Sequence, residues 1–145
     1  DDGQQPHELK RTRPFTYTAF NLGGFTNMAR MSNLIDVDLW TQPSGGDERI
    51  LKALQFAFEN LDNTKYWPGK QEKRIDYYKL VAPALFVRAA YANNQAVSAE
   101  IDAFITKLAT RSNQAQQQIA VCAALFNYPY LTSPSNDVKY RSCTY

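Results

Sequence analysis

The chain has 145 residues, 44% hydrophobic and 21% charged, and 16 basic against 14 acidic side chains leave a formal net charge of +2. That length suits one globular domain, no apolar run approaches the ~20 residues of a membrane span, and the balanced charge gives no footprint for nucleic acid or a lipid surface. With one histidine, His7, and two cysteines, Cys122 and Cys143, no His-Glu-x-x-His site exists and a zinc ligand set is not expected; no P-loop or dinucleotide fingerprint occurs either, so no metal or cofactor is implied.

Apolar spacing follows the helical period almost throughout, and only a short stretch such as Val37 to Trp40 could pass for a strand, so the expected class is all-α. The first helix runs from Pro14, suited to the first helical position, to about Leu34, with Phe15, Leu22, Phe25, Ala29 and Ser32 near one face. Turn chemistry from Asp36 to Gly46 separates it from a second helix. That helix is opened by Asp47 and Glu48 and buries Ile50, Leu51, Leu54, Phe58 and Leu61. Tyr66-Trp67-Pro68-Gly69 closes this segment. Ile75 to Tyr91 reads as a third helix with Tyr78, Val81, Leu85 and Ala89 inward, and Pro83 inside it should either kink it or mark a new start.

Ser98 is a suitable N-cap for a fourth helix carrying Ile101, Phe104, Ile105 and Leu108. Ser112 or Asn113 can cap a fifth, with Ile119, Cys122, Ala123 and Phe126. The five helices are expected as consecutive antiparallel hairpins, followed by an irregular tail over 130–145. The chain begins with Asp1 and not methionine, which suggests processing upstream. In an oxidising, extracellular setting Cys122 and Cys143 could bridge and staple the tail; otherwise Cys122 is a buried thiol and Cys143 is unpaired.

Reactive side chains concentrate between Gln5 and Asn21. On an unbroken helix Arg11 and Tyr17, six positions apart, would point about 240° away around the axis. A helix starting at Pro14 instead leaves Arg11 in the preceding loop, free to fold back over the first turn where Tyr17 lies, and the positive end of the helix dipole there favours a carboxylate ligand. Tyr17, Asn21 and Gly24 recur at i, i+4 and i+7 as a polar and small stripe.

The run from Asp2-Gly3 through Gln5-Pro6, Glu8-Leu9, Arg11-Thr12, Tyr17 and Phe20-Asn21-Leu22 resembles a segment of the alginate lyase-like polysaccharide lyases, the alginate and glucuronan lyases among them. The likeness continues through Val37-Asp38-Leu39-Trp40, the Gly46 to Leu54 helix start and Trp67-Pro68, about the first 90 residues in all. It implies helical hairpins forming part of an (α/α) toroid, and the chain as the C-terminal portion of such a domain. It also implies Tyr17 as base and acid of a β-elimination on an acidic, uronate-containing polysaccharide. Arg11 would be the partner of the substrate carboxylate, with Arg13 in reserve and Asn21 and Trp40 as substrate-binding residues. Fixed donors suit this chemistry because charge builds on the carboxylate as the C5 proton leaves.

One departure stands beside the match. Such enzymes also use an Asn-His pair upstream of the tyrosine block, and this sequence has none, since His7 follows Pro6. An upstream segment or a companion polypeptide carrying that pair and the earlier helices is therefore expected, docked on apolar faces this chain leaves uncovered. The alternative is a catalytically silent carbohydrate-binding or interaction protein on a lyase-like scaffold, its loop aromatics stacking on sugars.

Overall fold

The computed structural model describes residues 2–41, 48–63, 67 and 75–126. These form six α-helices and no strand: α1 (Pro6–Leu9), α2 (Pro14–Ser32), α3 (Arg49–Glu59), α4 (Val81–Ala90), α5 (Gln95–Arg111) and α6 (Asn113–Phe126). They cluster in two compact units, Asp1–Asp76 and Tyr77–Tyr145. The expected turn residues Gly45 and Gly46, the expected helix opener Asp47, the closing residues Tyr66, Pro68 and Gly69, the tail 130–145 and Cys143 lie outside the described residues.

In the first unit α2 is the central helix, packed on α1 and α3. Pro14 holds its first position, as expected, since its missing N–H removes a donor that the first turn cannot satisfy. The inward face carries Phe15, Thr18, Ala19, Leu22, Thr26 and Ala29. Thr26 buries its hydroxyl at no loss, because Oγ1 donates to the Leu22 carbonyl at 2.9 Å. That corrects the expected stripe: Thr26 turns inward and Phe25 is 42% exposed.

A 3₁₀ turn, Asn33–Ile35, extends α2, and Asp36 ends it in the left-handed region (φ 57°), letting the Val37 N–H reach the Ser32 carbonyl at 3.0 Å. The stretch read as a possible strand is a carboxylate-capped turn. Asp38 accepts from the Trp40 N–H at 2.8 Å, the Thr41 N–H at 3.2 Å and the Thr41 hydroxyl. These bonds, the hydroxyl first, hold the Asp38 carboxyl below its ordinary value.

α3 begins at Arg49 and buries Leu51, Ala53, Leu54, Phe56 and Ala57, while Ile50 and Phe58 are half-buried. Trp67 is fully enclosed, edge-on to Phe15 (centroids 5.5 Å, 86°) and to Phe56 (6.1 Å, 73°), and its indole N–H donates to the Asn60 carbonyl. Burying each such ring or leucine contributes about 1.5–3 kcal/mol, and edge-to-face pairs add to that. The outer side of α2 and its extension stays apolar in water, with Phe20, Met31, Leu34 and Ile35 exposed by 66%, 68%, 84% and 72%.

In the second unit the segment read as one helix from Ile75 divides into a 3₁₀ turn, Tyr77–Leu80, and α4, with Pro83 in the first turn of α4. Of the two alternatives for Pro83, the new start is the one observed, because a first-turn proline breaks no helical hydrogen bond. α4 packs on α5, and α5 on α6. α5 starts four residues before the expected point: Asn94, not Ser98, is the N-cap, its side chain accepting from the Val97 N–H at 3.2 Å. Ser98 lies inside the helix, where its hydroxyl donates to the Tyr91 carbonyl at 2.8 Å. Ser112 precedes α6, its Oγ accepting from the Ala115 N–H at 3.4 Å. Ile101, Phe104, Leu108, Ile119, Cys122 and Ala123 are buried as expected.

Candidate functional site

The segment 2–13 forms a strap across the N-terminal half of α2, held by its seat on α3, a side-chain bond to α2 and backbone bonds of its own. At its start Gly3 adopts φ +72° against α3, where a Cβ would stand 2.1 Å from the Lys52 carbonyl oxygen, so only glycine fits. Next, the Gln5 carbonyl accepts from the N–H groups of Glu8 and Leu9, both at 3.0 Å, forming the single turn of α1. The Gln5 side chain reaches α2, its Oε1 accepting from Asn21 Nδ2 at 2.8 Å. Finally, the Arg11 N–H donates to the Glu8 carbonyl at 3.1 Å, which turns the chain back toward α2.

That reversal places the Arg11 guanidinium over the ring of Tyr17, 3.8 Å from its centroid. The distance is well inside the roughly 6 Å reach of a cation–π contact. Pro14 makes it possible, as the sequence suggested: α2 starts there, Arg11 belongs to the loop, and Tyr17 lies one turn in, its N–H donating to the Arg13 carbonyl at 3.1 Å. Tyr17 is half-buried and Arg11 exposed, so the ring is fixed while the cation faces solvent. A carboxylate arriving here meets a planar, permanently charged donor beside a phenolic hydroxyl.

Asn21 follows Tyr17 by four positions, and Gly24, with nothing within 4 Å of a built Cβ, keeps the same stripe open. Arg13 is half-buried at the N-cap position, where its side chain makes no capping bond. Trp40 is only 6% exposed and so retains little ring face for a sugar. Cys122 is buried in α6, with Gln118 Nε2 3.7 Å from its sulfur. Tyr128, Tyr130, Tyr140 and Tyr145 lie outside the described residues. On the far side of Gln5 an apolar cavity of about 400 Å³ is lined by Gly3, Gln5, Phe25, Met28, Leu39 and Ile50. The Gln5–Asn21 bond and the Gly3 seat are the parts that sequence reasoning missed; the one signal for them was a glycine at the head of a polar segment.

Residues 1–67, the stretch that holds the strap, α2 and α3, match the family model described as alginate lyase. Over this stretch the chain is similar to that family. The match carries the strap, Arg11, Tyr17 and Asn21, and points to a polysaccharide lyase-like function. No curated protein and no solved structure matches the chain.

Proposed function

We propose that this alginate lyase-like chain takes part in cleaving an acidic, uronate-containing polysaccharide, alginate or glucuronan, by β-elimination. The observation that supports it is the Arg11 guanidinium held over Tyr17. Arg11, with Arg13 nearby in sequence, binds the uronate carboxylate and offsets the charge that builds there as the C5–H bond breaks. Tyr17 takes the C5 proton; the electron pair forms the C4–C5 double bond, the C4–O bond breaks, and Tyr17 returns a proton to the leaving oxygen. Asn21, on the same stripe, contributes a hydrogen bond to the sugar.

An upstream segment or a companion polypeptide supplies the Asn-His pair, and together with this chain, as the C-terminal portion, it makes up an (α/α) toroid. The exposed apolar row Phe20, Met31, Leu34 and Ile35 is the surface on which it docks, with an apolar helix face as its counterpart. The setting is extracellular, with Cys122 bridged to Cys143 as a staple on the tail. Incubating native material with alginate and with glucuronan tests the reaction: elimination yields an unsaturated uronate that absorbs in the ultraviolet, hydrolysis yields none. Saccharide binding without any such product would favour the second reading, a silent carbohydrate-binding protein.

A further inference from the structure

The Gln5 side chain joins the strap to α2 through a hydrogen bond near the Arg11–Tyr17 pair. Its Oε1 accepts from Asn21 Nδ2 at 2.8 Å, joining positions 16 apart in sequence, one helical turn beyond Tyr17. Six residues later the same strap delivers Arg11 to the Tyr17 ring. Between the two lie only the single turn of α1 and the reversal closed by the Arg11 N–H on the Glu8 carbonyl. The path from the Gln5 anchor to the guanidinium is thus short and internally bonded.

Stability alone does not account for a glutamine here. Its Nε2 is buried with no hydrogen-bond partner among the described residues, an unfavourable arrangement that an apolar side chain of similar length would avoid. A residue kept at a cost to the fold at one end, while the other end makes a directed bond to the site helix, has the character of a site device.

We propose that Gln5 is a positioning residue: through Asn21 it clamps the strap to α2 and so holds the Arg11 guanidinium over Tyr17. The same bond fixes the Asn21 amide, whose Nδ2 is turned to Gln5, leaving Oδ1 as the end offered to a ligand. This inference rests on the lyase reading for its consequence in turnover, and on geometry alone for the placement of Arg11.

The test uses the full chain and the substitution Gln5→Met, which keeps the volume, removes the bond to Asn21 and also removes the unpartnered donor. Protons held over an aromatic face are shifted upfield in NMR, so the Arg11 side-chain signals, identified by their loss in Arg11→Lys and by their normal position in Tyr17→Leu, report the contact directly. In Gln5→Met the upfield shift is expected to vanish while the α2 amide signals and the melting temperature hold. Asn21→Ala, which breaks the bond from its other end, should do the same and serves if Gln5→Met fails to fold. Where elimination is measurable, Gln5→Met should lower kcat about tenfold with KM within about twofold, since a displaced charge weakens the transition state more than binding. Persistence of the Arg11 shift in both variants overturns the proposal. Loss of the shift, where native material with its upstream or companion part yields no unsaturated uronate, supports the clamp and overturns the lyase reading instead.

Discussion

Arg11 and Tyr17 meet face-on, 3.8 Å from guanidinium carbon to ring centroid, although six intervening steps of helix would have turned them apart. The helix between them begins only at Pro14, and the loop before it folds back. A proline at the first position thus does two things at once: it starts α2 without losing a hydrogen bond, and it frees the arginine to reach the first turn.

If this pair carries the chemistry, Tyr17→Phe keeps the ring under the guanidinium and removes only the hydroxyl. Its helical circular dichroism and melting temperature should match the wild type, while elimination should fall at least ~100-fold, the usual loss for a general acid or base. Arg11→Lys keeps the charge but not the planar fork and should impair the reaction too. Wild-type turnover in Tyr17→Phe would remove Tyr17 from the mechanism.

How much of this was legible in the sequence differs by level. Helix existence was, since Leu51, Leu54, Ile101, Phe104 and Leu108 repeat at the helical period and are buried. Helix edges and faces were less so where two polar residues compete. Asn94 and Ser98 are both acceptable caps, and the choice falls to Asn94 because the Ser98 hydroxyl is drawn to the Tyr91 carbonyl. Thr26 and Phe25 exchange places for a similar reason: a threonine that bonds its own helix backbone is inexpensive to bury. The Arg11–Tyr17 contact could be read from Pro14. The Gln5–Asn21 bond could not, because nothing in a local pattern specifies a contact over 16 positions.

Gly3 should tolerate no side chain. With φ +72° and a Cβ site 2.1 Å from the Lys52 carbonyl oxygen, Gly3→Ala has to displace the strap from α3. Thermal unfolding should show a loss of about 1–3 kcal/mol, and the Arg11 contact should loosen with it. An alanine variant as stable as the wild type would mean that the strap does not sit on α3 in solution.

Across α4 and α5, Arg88 Nε donates to Asp102 Oδ1 at 2.9 Å, the arginine side chain 11% exposed and the aspartate 35%. The exposure of Asp102 leaves the pair partly screened, so a double-mutant cycle with Arg88→Met and Asp102→Asn should return a coupling of about 1 kcal/mol that shrinks with added salt. Absence of coupling at low salt would show the pair to be incidental to the packing of these helices.

The turn at Asp38 gives a pH dependence whose sign is determined. Its carboxyl is held below the ordinary 3.8, first by the Thr41 hydroxyl and then by the Trp40 N–H, so the folded protein favours the ionised form more than the unfolded chain does. The bonds therefore add stability above about pH 3.8, and that contribution is lost as the pH falls through the lower folded value. Asp38→Ala should be less stable than the wild type near neutrality by at most about 1 kcal/mol, because the turn is open to water. As both proteins are acidified below 3.8 their stabilities should converge. Both tryptophans, Trp40 and Trp67, lie in the first unit, and their fluorescence follows its unfolding directly. A stability gap that stayed constant from neutrality down through the acid range would mean that the backbone at 38–41, and not the carboxylate, holds this turn.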